Sequence, residues 1–186
     1  MSSTVGLPRG ATWRNVGAAR QRVTSGALRR SVARMGASAG RRALAEALRH
    51  VGVTESPPGS NRTMFGRWYG VDGVPWCAIF ASYCFDVGAG VVLCRGWHGA
   101  GVSTRGVAYV PTLAAWLQAT GRVVDAPQPG DLVVFDWDGG VPDHAGIVVR
   151  RLAGERIETV EGNAHDRVYR GTRPDAHVLL FGRIGS

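Results

Sequence analysis

Residues 131–151 read DLVVFDWDGGVPDHAGIVVRR, and this stretch decides the fold class. Two short runs of β-branched and aromatic residues flank a segment of Gly, Pro and Asp, which is typical of two antiparallel strands joined by a turn. Two more runs of this kind follow at residues 156–160 and 178–184. The C-terminal part of the chain is therefore predicted to form an antiparallel sheet.

The chain before this sheet has a helical pattern. Apolar residues recur at three- and four-residue steps through residues 39–51, and Gly52 ends the helix that they predict. A second helix is expected from Pro75, a favoured first helical position, to about Val87, and a third ends before Gly121. Helices that precede strands, instead of alternating with them, indicate an α+β fold.

Charge is divided unevenly along the 186 residues. The formal net charge is +8, but residues 1–50 hold ten arginines and one acid, whereas residues 51–186 hold twelve arginines and thirteen acids. The basicity therefore belongs to the N-terminal quarter. The rest of the chain lacks the basic excess of a nucleic-acid-binding domain, and we expect no specific nucleic acid partner.

Residues 1–36 are rich in Gly, Ser, Ala and Arg and hold few large apolar residues. Such a segment buries too little surface to offset its ordering entropy, so we predict a disordered Arg-rich arm followed by one domain at residues 37–186. The arginines are not followed by an apolar core of about 7–15 residues, so no secretory signal is expected. A run of about 18 apolar residues, which a membrane span needs, is also missing from the sequence.

Cys77 lies in the run GVPWCAIF, residues 73–80. If the second helix opens at Pro75, this cysteine lies in the first turn, where unpaired N–H groups and the positive end of the helix dipole stabilise a thiolate and can hold an oxyanion. Cys84, two turns further on, and Cys94 lack this setting and are interpreted as core residues, although a disulfide between them stays open. The sequence thus favours Cys77 as a nucleophile.

A nucleophilic cysteine needs a base, and His144 has the best setting among five histidines. It opens a strand directly after a turn, and a rigid strand can fix an imidazole. His98, in a Gly-rich loop, is a weaker candidate. Glu161 and Asn163, in the run Glu-Gly-Asn, could each accept the other ring N–H of the histidine and set its orientation, and residue chemistry alone does not choose between them.

Four motifs together resemble the CHAP domain, a family of cysteine, histidine-dependent amidohydrolases and peptidases with the NlpC/P60-like, papain-like fold. They are GVPWCAIF around Cys77, PGDLVVFDW from residue 129, DHAGIV around His144 and EGN from residue 161, in one order within residues 40–184. The resemblance implies a papain-like α+β fold in which N-terminal helices pack on a C-terminal antiparallel sheet. It also implies hydrolysis of an amide bond in peptidoglycan.

The catalytic roles that the resemblance implies fall on four residues: the nucleophile Cys77, the general base and then acid His144, the orienting residue Glu161, and the assisting or alternative orienter Asn163. Trp76 and Tyr69 would flank the substrate groove, and the N–H of Cys77 would belong to the oxyanion hole. Some phage members carry a calcium site just before the cysteine. Asp72 is the only acid between Glu55 and Cys77, so we expect neither that site nor any other metal or cofactor.

The resemblance implies peptidoglycan as the partner, and we interpret the protein first as an endopeptidase of the wall peptide. An N-acetylmuramoyl-L-alanine amidase is the alternative, and a non-catalytic wall-binding or phage structural module of the same fold is a further one. The arm at residues 1–36 could add a salt-sensitive attraction to anionic wall polymers. We expect a monomer that acts at the bacterial cell wall and is either phage-encoded or exported by a route other than a signal peptide.

Overall fold

The computed structural model describes residues 38–185, so the arm expected at residues 1–36 lies outside the described residues. Within this range the helices are α1 Ala39–Arg49, α2 Met64–Tyr69, α3 Cys77–Ala89 and α4 Val110–Ala119. A small hairpin, β1 Val102–Ser103 and β2 Gly106–Val107, precedes α4. The main sheet consists of β3 Val123–Val124, β4 Leu132–Phe135, β5 His144–Leu152, β6 Arg156–Ala164, β7 Arg167–Pro174 and β8 Val178–Gly182.

The main sheet is antiparallel throughout, with the strand order β3-β8-β4-β5-β6-β7. Strands β4 and β5 are the two runs that residues 131–151 predicted, and Phe135 at the end of β4 lies opposite His144 at the start of β5. Most of the helical residues come before this sheet in the chain. The α+β fold class is therefore confirmed.

The helix α3 lies between α1 and the sheet, and two glycines let it approach both. Gly88 of α3 faces α1, where a Cβ would lie 2.9 Å from the carbonyl oxygen of Arg42. Gly162 of β6 faces the start of α3, where a Cβ would overlap Phe80 and lie 2.9 Å from Cε3 of Trp76. This close packing fixes where the first residue of α3 lies relative to the sheet.

The main sheet is buried on both faces. The face toward the helices contributes to the main core through Val134, Ala145, Ile147 and Val160. The opposite face carries a second cluster made of Val133, Phe135, Val148, Ile157 and Phe181. Because side chains alternate along a strand, His144 and Glu161 belong to this second face.

Several elements were not predicted from the sequence: α2, the β1–β2 hairpin, β3 and β7. The helix α2 has only six residues; Thr63 caps its start by accepting the Gly66 N–H at 3.1 Å, and Gly70 ends it with a φ of 95°. The strand β7 pairs with β6 along most of its length, although its arginines hide any apolar alternation.

All three cysteines are free and buried, so the disulfide between Cys84 and Cys94 that the sequence left open is not formed. Burial raises the pKa of Cys94 to about 12, and it raises the pKa of Cys84 as well. Neither thiol is therefore suited to act as a nucleophile near neutral pH. None of the helices within residues 38–185 is both long enough and apolar enough to cross a membrane.

Candidate active site

Cys77 is the first residue of α3, within the first turn that the sequence predicted. Trp76 is the N-cap residue, and within the described residues no side chain caps this helix. The first N–H groups of the helix therefore remain available to a substrate oxygen. Cys77 is only 5% exposed and lines a cleft of about 300 Å³, whose other walls include Tyr109, Pro111 and Val141.

His144, the first residue of β5, links Cys77 to a carboxylate. Its Nε2 lies 2.9 Å from Oε2 of Glu161, which leaves Nδ1 as the ring nitrogen available to the Cys77 thiol. Burial lowers the pKa of His144, but hydrogen bonds and charge from Cys77 and Glu161 outweigh burial and raise the pKa to about 9. At neutral pH the ring is therefore an imidazolium.

Glu161 reaches the histidine because Gly146 lies between them without a side chain. The register of β5 and β6 places Gly146 opposite Glu161, and His144 is two residues from Gly146 on the same face. A Cβ on Gly146 would lie 2.8 Å from Cγ of Glu161. The glycine therefore leaves a diagonal path open from the carboxylate to the ring.

The Glu161 carboxylate is fully buried, and both of its oxygens accept hydrogen bonds. Oε1 accepts from the Thr159 hydroxyl and from Nε of Arg173 at 3.0 Å, and Oε2 accepts from Nη2 of Arg173 at 2.7 Å as well as from His144. Burial raises the pKa of Glu161, but the hydrogen bonds from His144, Arg173 and Thr159 outweigh burial and lower the pKa to about 2. The group is therefore a carboxylate at neutral pH.

Asn163 does not share this position. It is half-buried in the β-bulge that separates Glu161 from Ala164, with a φ of 56°. Among the described residues, the His144 ring is hydrogen-bonded to Glu161 and not to Asn163. Of the two orienting residues that the sequence left open, the structure thus brings only Glu161 to the histidine.

Trp76 does not flank the groove, which corrects the expectation from the sequence. The side chain is fully buried, its ring stacks on Phe65 with centroids 5.5 Å apart, and its indole N–H donates to Oε1 of Glu55 at 3.0 Å. Glu55 also accepts the backbone N–H of Asn61 at 2.7 Å. Trp76 therefore anchors the loop before α2, and it is not among the residues that line the two cavities near Cys77.

Tyr69 lines the edge of a second cavity, of about 620 Å³, which adjoins the cleft at Cys77 and shares Pro75, Ala108 and Tyr109 with it. Tyr69 itself is only 8% exposed, and its hydroxyl donates to the carbonyl oxygen of Gly101. Its position agrees with a residue beside the groove, but its main contact is with a loop.

Sequence reasoning missed three side chains that border this site: Tyr109, Trp137 and Arg173. Tyr109 is 48% exposed and lines both cavities. Trp137 stacks on Phe135, and its ring centroid lies 6.2 Å from that of His144. The sequence signal for Tyr109 and Trp137 is an aromatic residue close to the boundary of a helix or strand. Arg173 gave no such signal, because its strand was not predicted.

Two other sets of ionisable side chains form clusters within the described residues. His50 is bound to Glu46, with Nε2 and Oε1 3.0 Å apart. A group of three acids, Asp136, Asp138 and Asp143, could bring carboxylate oxygens to one cation. However, one oxygen of Asp136 already accepts backbone N–H groups of its own turn, including that of Gly139 at 2.7 Å, which accounts for the arrangement.

A family comparison agrees with this geometry. The CHAP domain model matches residues 68–163, just over half of the chain and the part that contains Cys77, His144 and Glu161. The chain therefore belongs to the CHAP domain family, which confirms the resemblance seen in its motifs.

Two solved structures are similar to the chain, each at 20% sequence identity. They are the crystal structure of Ly7917, with a TM-score of 0.44, and the crystal structure of Ly7917 with the hydrolyzing product of MDP, with a TM-score of 0.46. Each match covers 76% of this chain and 61% of the other, so the chain spans less than two thirds of their length. No curated protein matches the chain.

Proposed function

We propose that the protein is a cysteine-dependent peptidoglycan hydrolase that cleaves an amide bond of the wall peptide. The observation that carries this proposal is the linked arrangement of Cys77, His144 and Glu161 beside an open cleft. A nucleophile beside a base, which is itself oriented by a third group, is the arrangement that acyl transfer requires. Membership in the CHAP family supports the same chemistry.

The reaction starts from a thiolate of Cys77 paired with the His144 imidazolium. The sulfur attacks the amide carbonyl, a C–S bond forms, and the N–H groups at the start of α3 hold the oxyanion of the tetrahedral intermediate. As the C–N bond breaks, His144 gives its proton to the leaving amine, and a thioester remains.

The same histidine then acts as a base. Neutral His144 removes a proton from water, the resulting hydroxide attacks the thioester, and the C–S bond breaks to release the acid and restore the thiolate–imidazolium pair. Glu161 stays ionised throughout, because its pKa is about 2, and it compensates the charge of the ring whenever the ring is protonated. The histidine thus alternates between two protonation states while the carboxylate keeps one.

The walls of the cleft favour a peptide as substrate. The cavity at Cys77 continues into the larger one through Pro75, Ala108 and Tyr109, and together they form a mostly apolar groove that an extended chain can follow. We therefore favour an endopeptidase, which binds peptide on both sides of the scissile bond. An amidase that cuts between the sugar and the first alanine is the alternative.

Digestion of purified peptidoglycan, with fragment masses as the readout, tests the proposal. The wild type should release soluble fragments. Cys77→Ala should release none above the buffer blank, although its circular dichroism and melting temperature should match the wild type. Cys84→Ala, which removes a buried thiol from the same helix, should keep most of the activity. Undiminished release by Cys77→Ala would contradict the assignment of the nucleophile.

The fragment masses also separate the interpretations that remain. Cleavage inside the stem or cross-bridge peptide identifies an endopeptidase, whereas the release of whole stem peptides from intact glycan identifies an amidase. A non-catalytic wall-binding module would sediment with peptidoglycan and release no fragments. In that case Cys77 should also fail to react with iodoacetamide near neutral pH, because no thiolate is needed there.

A further inference from the structure

Arg173 binds both oxygens of the carboxylate that faces the histidine. Its Nε lies 3.0 Å from Oε1 and 3.2 Å from Oε2 of Glu161, and its Nη2 lies 2.7 Å from Oε2. The carboxylate is fully buried, and the arginine side chain is 22% exposed. A forked, charge-assisted contact of this kind fixes the plane of a carboxylate as well as its charge.

The strand β7 and its neighbours hold the guanidinium in place. Arg173 lies opposite Ile157 in the register, on the face of the sheet that also carries Glu161. The guanidinium carbon lies 5.5 Å from the ring centroid of Trp137 and 5.6 Å from that of Tyr169. The Tyr169 ring can lie along the strand because Gly171 has no Cβ, which would overlap it. Two aromatic faces therefore limit where the cation can move.

We propose that Arg173 is a positioning residue of the active site, which keeps Glu161 ionised and aimed at Nε2 of His144. This proposal depends on the proposed function, since it gives Arg173 a part in forming the reactive thiolate of Cys77. The four side chains then make one line of alternating charge, from the thiolate through the imidazolium and the carboxylate to the guanidinium. Arg173 acts through Glu161 and does not touch the substrate.

Loss of Arg173 should raise the pKa of Glu161. Burial raises the pKa of Glu161, and without Arg173 only His144 and Thr159 would oppose that effect. A carboxyl group that takes up a proton no longer stabilises the imidazolium, which lowers the pKa of His144 and leaves less of the thiolate–imidazolium pair at a given pH. The substitution keeps the other titratable side chains near the ring in place, Cys77 from α3 and Asp143 before β5.

A purely structural bridge between β6 and β7 would behave differently, and the chain offers a matched control. Arg170, three residues earlier on β7, also bonds a glutamate of β6, with its Nε 2.9 Å from Oε1 of Glu158. That pair is solvent-exposed and does not touch the histidine. Arg170→Gln therefore removes a similar strand-to-strand ion pair without affecting the line of charges.

The test is the pH dependence of Cys77 alkylation by iodoacetamide, measured by peptide mass spectrometry on the full chain from about pH 4 to pH 9. This readout follows thiolate formation and needs no peptidoglycan. For Arg173→Gln, the low-pH side of the profile should move upward by about one pH unit or more, which is about a tenfold slower reaction at a fixed pH on that side. Arg170→Gln should coincide with the wild type.

Arg173→Lys keeps a charge but offers one nitrogen in place of a fork, so its profile should fall between those of the wild type and Arg173→Gln. If Arg173→Gln does not fold, as judged by circular dichroism, the lysine variant decides alone, and a profile identical to the wild type would overturn the proposal. Coincidence of the folded Arg173→Gln profile with that of Arg170→Gln would also overturn it. By contrast, a wild type in which Cys77 reacts no faster than Cys84 would refute the proposed function itself.

Discussion

Glu161 makes the stability of the protein depend on pH in a direction that the structure determines. Its pKa is about 2 in the folded protein against an ordinary value of 4.5. Because the folded value is the lower one, the group contributes stability that is fully present above pH 4.5 and is lost as the pH falls through about 2. The carboxylate is fully buried, so solvent screening does not reduce the effect. The displacement from 4.5 to about 2 corresponds to about 3 kcal/mol.

Replacement of Glu161 by Gln removes this titration while keeping the shape of the side chain. Urea unfolding, followed by circular dichroism at several pH values between 6 and 3, gives the free energy of unfolding of both proteins. On going to pH 3, the wild type should lose about 2 kcal/mol more than Glu161→Gln, which is the part of the effect that has already titrated there. The comparison uses this change with pH, because the absolute stability of the variant also reflects the loss of its bond to Arg173.

A control variant separates this effect from the general acid sensitivity of the fold. Asp166 is an exposed acid in the turn between β6 and β7, with a φ of 57° that asparagine also tolerates, so Asp166→Asn should keep the full pH dependence of the wild type. If the wild type and Glu161→Gln lose stability in parallel between pH 6 and pH 3, then Glu161 is not held ionised by its neighbours. That outcome would refute the electrostatic account of the site.

Two further predictions follow from the packing around α3. Gly162→Ala should push the start of this helix away from β6, because the new Cβ would overlap Phe80. We expect the free energy of unfolding to fall by about 1–3 kcal/mol and peptidoglycan hydrolysis to be at least tenfold slower. An unchanged melting temperature and an unchanged rate of hydrolysis would contradict this prediction. Trp76→Phe should leave the buried Glu55 without its indole donor and cost about 1–3 kcal/mol in urea unfolding, while KM for wall fragments stays unchanged. A raised KM at unchanged stability would instead support the expectation that Trp76 flanks the substrate groove.

The fold class and two members of the site could be predicted because their signals are local. The hairpin of residues 131–151 contains both strands and the turn between them, so its pattern depends little on the rest of the chain. Likewise, the helix that the sequence predicted from Pro75 begins two residues later, at Cys77, with Trp76 as its N-cap residue, and Cys77 still lies in the first turn. His144 opens its strand as the turn before it indicated.

Features that depend on packing between distant segments could not be predicted in this way. The strand β7 carries Arg167, Arg170 and Arg173, and its pattern is polar on the face where Tyr169 and Arg173 surround a buried carboxylate. A sequence pattern that equates burial with apolar residues therefore assigns it to a loop. The prediction that Trp76 flanks the groove was wrong for a related reason. Its neighbour Cys77 lines the cleft, but the ring of Trp76, at the N-cap position, is buried in the core.

The orienting residue illustrates this limit most sharply, because Glu161 and Asn163 are chemically equivalent candidates. The register of β5 and β6 pairs Gly146 with Glu161, and regular continuation would bring Asn163 opposite His144. The pairing of β5 with β6 ends at Gly146 and Glu161, where β6 also bulges against β7. The missing side chain of Gly146 opens a diagonal route for the carboxylate. The contact with the histidine thus depends on a β-bulge and a glycine, neither of which carries any catalytic chemistry. For this reason the choice required the strand register and could not be made from residue type.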